Sequence, residues 1–165
     1  MSMQEMVIYG ISLDMVGRQP IVLLKTVTDN RFLPIWIGHP EAASIMMRLQ
    51  GVESPRPGTH DVMVQMLEEL EGEVVSVSIT ELRDKTFFAE VAILDGNGDE
   101  HVVDTRPSDA LAIAVRVECP ILAASEIVEE SGVEFEGQGG VDKESMVEEF
   151  RQFLDDVDPG DFIDG

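Results

Sequence analysis

The stretch HVVDTRPSDALAIAVRV, residues 101–117, decides the fold because a strand-like run becomes a helical one within it. Val102 and Val103 are β-branched and favour a strand, whereas the alanine-rich run that follows favours a helix. Pro107 is compatible with the first turn of a helix, because the backbone N–H that proline lacks makes no hydrogen bond within the helix there. Asp109 would place a negative charge near the positive end of the helix dipole. The stretch therefore predicts a strand, a polar corner and a helix.

The polar corner carries Asp104, Arg106, Ser108 and Asp109 beside the free N–H groups of the helix start. A planar guanidinium and free N–H groups favour a phosphate, while two carboxylates favour a hard cation such as magnesium. A structural role explains the same residues, because Asp109 would complement the helix end and Arg106 would pair with Asp104. The residue types leave both interpretations open.

Composition limits the class of protein. The chain has 165 residues, 44% of them hydrophobic, which fits one domain with a sizeable core. Its single cysteine, Cys119, excludes an intramolecular disulfide framework. The sequence has neither a signal-like start nor an apolar run of membrane length, so we expect a cytoplasmic protein without membrane contact.

The net charge of −22 is unevenly distributed along the chain. Residues 126–165 hold 14 acids and 2 bases, whereas residues 1–125 hold 19 acids and 9 bases. A surface this negative repels nucleic acid at long range. Any phosphate-binding function therefore requires a local cluster of arginines or a bound metal.

The periodicity predicts two similar halves. In the first, strand patterns precede helical patterns at 39–50 and 60–70, with Pro34 favouring an edge strand or a bulge. In the second, a hairpin and a third strand precede the helix that starts at Pro107, and 120–133 would supply a second helix. We therefore predict an α+β fold of duplicated β3α2 units that form a mixed or antiparallel sheet. The predicted strands span residues 6–15, 21–27, 31–38, 73–82, 86–94 and 101–105.

Three blocks of this sequence resemble the bifunctional nuclease domain family, formerly a domain of unknown function. They are IWIGxxEAxxI at 35–45, PRPxTHD at 55–61 and DxRPSDAxAxA at 104–114, in the family's order and spacing. The resemblance covers residues 3–134 and implies an α+β fold built by duplication, commonly a homodimer, with nuclease activity on DNA and RNA attributed to some members. The residues His39 and Pro40 depart from the family pattern locally, at the start of the first helix.

The resemblance also implies a set of candidate site residues. We predict catalytic roles for His60, Asp61, Asp104 and Asp109, with His60 as general acid or base. A divalent ion such as magnesium would be held by Asp104, Asp109 and Glu41, with Asp61 as a further candidate ligand. Phosphate groups would be bound by Arg56, Arg106 and Ser108.

A non-enzymatic function competes with the nuclease. A dimeric regulatory module could use the same corner to fix structure or to bind a small anion or a protein, and the acidic surface favours this reading. His60 also has a structural alternative, as a histidine satisfied by a backbone carbonyl at the helix start. Charge alone does not decide between these functions.

The C-terminal part differs in composition from the domain. After Gly132, residues 135–165 form a predicted acidic linker followed by an amphipathic helix that starts near Asp142 and ends before Pro159. The apolar face of this predicted helix comprises Met146, Val147, Phe150, Phe153, Leu154 and Val157. We expect this face to pack on the same domain or on a second copy of it in a dimer; alternatively, a protein partner would bind residues 142–157.

Overall fold

The computed structural model describes residues 2–13 and 18–134. The predicted linker and C-terminal helix, residues 135–165, lie outside these residues, so the interpretation of 142–157 stays a prediction. The strands are β1 Met3–Leu13, β2 Pro20–Thr26, β3 Arg31–Trp36, β4 Glu73–Arg83, β5 Thr86–Leu94, β6 Glu100–Thr105, β7 Ile121–Ala124 and β8 Val133–Glu134. The helices are α1 His39–Leu49, α2 Thr59–Glu69, α3 Pro107–Val117 and α4 Ser125–Ser131.

The described strands form one mixed sheet in the order β6-β5-β4-β7-β1-β2-β3-β8. Each half contributes an antiparallel meander, and β7 joins the two by pairing parallel to β4 and antiparallel to β1. At Pro34, β3 is an edge strand, since β8 pairs only with Arg31 and Phe32. The predicted α+β class and mixed sheet are confirmed, while an origin by duplication stays a prediction.

The helices after β3 and β6 start alike. Both begin with a proline in the first turn and an acid shortly after it, Glu41 in α1 and Asp109 in α3. Helix α3 is the central one, because its alanine-rich run is buried against β4 and β5 while α1 and α2 pack on it. The first turns of α1 and α3, and hence their acids, are brought together by this packing.

The prediction of one helix over residues 120–133 is wrong in its first part. Residues Ile121–Ala124 form β7, and α4 begins only at Ser125. Alanine and leucine favour a helix, but in this position the backbone bonds to strands on both sides and Ile121, Ala123 and Ala124 are buried. Pairing with two distant strands therefore outweighs local propensity.

Much of the apolar face of α2 and the residue after it is exposed among the described residues, although Val64 packs against the core. Met63, Met66 and Leu70 are 43%, 65% and 77% exposed, and α2 instead contacts α3 through a side that includes the buried His60. An amphipathic pattern predicts that one face of a helix will be covered, but it does not identify what covers it.

Among the described residues, no helix combines the length and the apolar character that crossing a bilayer requires.

Candidate functional site

A pocket of about 630 Å³ opens where the first turns of the three long helices meet. Its walls come from α1, the connection 52–58, the start of α2, Arg106 just before α3, and Asp109 and Arg116 of α3. Six of the predicted site residues line it: Glu41, Arg56, His60, Asp61, Arg106 and Asp109. Segments distant in sequence thus converge on one surface-accessible pocket.

Arg106 connects the first turns of α1 and α3. Its Nε donates to Asp109 Oδ2 at 2.8 Å and an Nη donates to Glu41 Oε1 at 2.8 Å. The hydrogen bond with Asp109, and then that with Glu41, raises the pKa of the guanidinium above its ordinary value. Arg106 therefore forms ion pairs with two carboxylates, one from each helix.

Two predicted members of the site lie elsewhere. Asp104 is exposed on β6 and does not line the pocket. Its neighbours Val103 and Thr105 line a cavity beneath α2, and since side chains alternate along a strand, Asp104 points to the other face of the sheet. The Asp104–Arg106 pair of the structural interpretation therefore does not form, because Arg106 pairs with Glu41 and Asp109 instead. Ser108 is 6% exposed and also outside the pocket lining.

His60 is held between two side chains. Its Nε2 lies 2.8 Å from Asp109 Oδ1, and its Nδ1 lies 2.7 Å from the hydroxyl of Ser44. Burial disfavours the charged form of Asp109, but the hydrogen bonds from Arg106 and His60 outweigh it and lower the pKa of that carboxyl below 3.8. A carboxylate accepts hydrogen bonds, so Nε2 carries a proton, and in the neutral imidazole Nδ1 then accepts from the Ser44 hydroxyl.

Arg116 connects the same network to α2. Its Nε donates to Asp61 Oδ1 at 2.6 Å, one Nη donates to Ser44 Oγ at 2.9 Å and the other to Ala112 O at 2.8 Å. The backbone N–H of Gly58, followed by Arg116, holds the pKa of Asp61 below its ordinary value of 3.8. Seven side chains from α1, α2, α3 and the residue before α3 are thereby joined without a break, from Glu41 to Asp61.

Sequence reasoning missed Ser44, Arg48 and Arg116. The signal was present as helical spacing, because Ser44 and Arg48 follow Glu41 by three and seven residues on one face of α1. Arg116 likewise follows Asp109 by seven residues, or two turns, on α3. Continuing each motif along its helix face would have found all three.

Arg48 and Arg56 differ from the other two arginines of the pocket. Both are exposed, and among residues 2–13 and 18–134 neither has a carboxylate within ion-pair distance. The pocket lining holds four arginines and four acids, so its formal charge balances although the whole chain carries −22. The pocket is therefore a local exception to the acidic character of the protein.

The predicted metal ligands do not fit a metal site. Glu41 and Asp109 point their oxygens at the guanidinium of Arg106, where a shared cation would otherwise lie, and Asp104 is outside the pocket. Across the part of the chain that the structure describes, no group of three or more histidine, cysteine or acidic side chains is arranged to hold a metal ion. Positive charge in this site comes from arginine.

Comparison with known proteins places the chain in a family. A family model described as the bifunctional nuclease domain matches residues 22–136. The chain is 38% identical over 165 residues to an uncharacterised protein of Mycobacterium tuberculosis strain H37Rv, covering 97% of this chain and 98% of that protein.

Plant nucleases are more distant relatives. The chain is 32% identical over 110 residues to bifunctional nuclease 1 of Arabidopsis thaliana, covering 66% of this chain and 34% of that protein. It is 28% identical over 122 residues to the bifunctional nuclease of Oryza minuta, covering 73% of this chain and 37% of that protein. Since the family model matches more than half of its residues, the chain belongs to the bifunctional nuclease domain family.

Proposed function

We propose that the pocket hydrolyses phosphodiester bonds of DNA and RNA. The observation that carries the proposal is the pair of guanidinium groups without ion partners, Arg48 and Arg56, which open onto the same pocket as the His60–Asp109 pair. Free guanidinium groups bind phosphate oxygens, and a histidine oriented by a carboxylate is suited to proton transfer. Membership in a family with plant relatives named bifunctional nucleases supports this reaction class.

The mechanism assigns separate roles to these groups. Arg48 and Arg56 bind the phosphate and stabilise the charge that develops on its oxygens during attack. His60 acts as general base through Nδ1 once the Ser44 hydroxyl turns away and a water molecule takes its place. The water oxygen bonds to phosphorus as it loses a proton to Nδ1, and the bond from phosphorus to the leaving sugar oxygen breaks. That oxygen takes a proton from solvent, and the imidazolium then releases its own proton to solvent. Asp109 accepts from Nε2–H throughout, which fixes the tautomer and stabilises the imidazolium that forms.

Metal assistance stays a separate proposal. Because the carboxylates of the pocket are engaged by Arg106, His60 and Arg116, the steps above run through the protein's own side chains. Cleavage assays with EDTA, and with magnesium added back, address this point directly. Cleavage that stops in EDTA and recovers with magnesium would show that the ion acts in addition to the arginines.

The test is cleavage of labelled single-stranded DNA and RNA by purified variants. We expect His60→Ala to lower kcat by about 10²–10⁴-fold, because the general base is lost. Ser44→Ala is the matched control on the same imidazole, and it should cleave at close to the parent rate because Ser44 only occupies Nδ1 in the resting site. If His60→Ala cleaves as fast as the parent protein, the activity does not belong to this pocket.

One observation favours the non-enzymatic alternative. Both ring nitrogens of His60 are satisfied inside the protein and its side chain is only 7% exposed, as expected for a histidine that fixes three helices. A binding module would capture a phosphate-bearing ligand at Arg48 and Arg56 without turning it over. The same variants separate the two functions, since the binding module predicts no cleavage above that of the His60→Ala sample.

We also propose that the protein acts as a homodimer in the cytoplasm. The exposed apolar face of α2, which includes Met63, Met66 and Leu70, supports association because such a face is usually covered. Analytical ultracentrifugation should give the mass of a dimer for the parent protein and a lower mass for Met66→Glu. A parent protein that sediments as a monomer would contradict this part of the proposal.

A further inference from the structure

We propose that the pocket takes a short unpaired segment of nucleic acid, anchored by one phosphate at each of Arg48 and Arg56, and excludes the duplex. This inference rests on the proposed function and defines its substrate class. Both guanidinium groups are exposed at the pocket, and among the described residues neither has a carboxylate within ion-pair distance. They provide cationic positions for two phosphates of one strand.

Charge limits how much nucleic acid the protein can bind. Arg106 and Arg116 are neutralised by the carboxylates that they contact. The other described lysines and arginines do not line the pocket; Arg31 pairs with Glu134, and Lys25 lies over the Phe32 ring. A duplex presents phosphates along a rod and is typically held by about 6–10 phosphate contacts, which this acidic surface does not offer.

The size of the pocket leads to the same substrate. Its volume of about 630 Å³ falls in the range of sites for small molecules rather than that of a groove along a helix of DNA. Arg56 stands between Pro55 and Pro57, whose fixed backbone angles hold the connection rigid. A stiff wall beside a pocket of this size suits one or two nucleotides of a flexible strand.

The composition of the lining predicts weak base preference. Among the described residues that line the pocket, none is phenylalanine, tyrosine or tryptophan. Proteins that select bases in single strands commonly stack them on such rings. Recognition here falls on phosphate, which DNA and RNA share, so both are expected to bind.

The test is equilibrium binding of phosphorothioate-linked probes, which resist cleavage. A trinucleotide of deoxythymidine, one of deoxyadenosine, a longer single strand and its duplex are compared at several salt concentrations. For two phosphate contacts, the slope of log K against log salt should be about −1.4 for the single strands. Arg48→Gln and Arg56→Gln should each reduce it by about 0.7, while Arg83→Gln, an exposed arginine of the β4–β5 hairpin, should leave it unchanged.

The outcomes separate this inference from the proposed function. Equal affinity for the two trinucleotides, with duplex binding at least about tenfold weaker, supports it. A slope steeper than about −3, duplex binding as tight as that of the single strand, or unchanged affinity in both arginine variants overturns it. Binding as described, without cleavage of ordinary DNA, would overturn the nuclease function alone, whereas cleavage with a duplex preference would overturn this inference alone.

Discussion

Replacing Arg116 with methionine should destabilise the protein strongly, because this side chain ties three helices together. Its side chain is 10% exposed and contacts Asp61 of α2, Ser44 of α1 and the Ala112 carbonyl of its own helix. Methionine fills most of the same volume, so the change removes the charge and its hydrogen bonds without opening a large cavity. The loss can therefore be estimated from those bonds.

Two of the three bonds determine the magnitude. A hydrogen bond that involves a charged group contributes about 1.5–3 kcal/mol. Asp61 is 35% exposed and regains water, Ser44 keeps its bond to His60, and the Ala112 carbonyl retains its helical partner, so the lower value applies. The bonds to Asp61 and Ser44 together give a loss of about 3 kcal/mol, which corresponds to a fall in Tm of about 6–12 °C.

The assay is urea unfolding and thermal melting at neutral pH, with Arg83→Met as the matched control. Arg83 pairs with Glu81 at 3.7 Å and both side chains are more than half exposed, so its replacement should cost less than about 1 kcal/mol. If Arg116→Met costs no more than Arg83→Met, then Arg116 does not hold the helices together and the connected network lacks the energetic role assigned to it.

Three further predictions follow from individual residues. Folding lowers the pKa of Asp109, so the contribution of its ionised form to stability is complete above the ordinary pKa of 3.8 and is lost as pH falls through the lowered pKa. The difference in unfolding free energy between the parent protein and Asp109→Asn should therefore shrink below about pH 4. A constant difference down to about pH 2 would contradict this. Burial raises the pKa of the Cys119 thiol, so iodoacetamide at pH 8 should modify the native protein more slowly than the urea-unfolded protein, and equal rates would show that the thiol is accessible. Gly51 follows the end of α1 with φ of +67°, and no atom lies close to the position that a β-carbon would occupy. Gly51→Ala should therefore lower the free energy of unfolding by about 1 kcal/mol through backbone strain alone. An unchanged urea midpoint would exclude that strain.

The parts of the fold that depend on neighbouring residues were predictable from the sequence. Pro107 and Asp109 mark the start of α3 because their preferences act within one helical turn, and Pro34 marks an edge because it lacks a donor. The strand β7 was not predictable in this way. Its sequence ILAA at 121–124 has no strand-like alternation, and it becomes a strand because β4 and β1 offer hydrogen bonds on both sides.

Six residues that line the pocket could be predicted from the sequence, but the pairs that they form could not. The choice between Asp104 and Glu41 as partner of Arg106 depends on two facts that a linear sequence does not contain. Strand alternation turns Asp104 to the far face of the sheet, and packing of α1 on α3 brings Glu41 within 2.8 Å of Arg106. A prediction based on nearness in sequence therefore chose the wrong acid.

The pairing pattern divides the four arginines of the pocket by function. Arg106 and Arg116 have carboxylate partners at 2.8 Å and 2.6 Å, so a ligand phosphate would have to compete with a charge already in place. Arg48 and Arg56 have no carboxylate within ion-pair distance among the described residues, although Asp61 attracts Arg48 at longer range. A phosphate there would gain a charge-assisted hydrogen bond without breaking an ion pair. Under the proposed function, stability and ligand binding would therefore depend on different arginines, and the acidic protein would keep its helices together while presenting positive charge in the pocket.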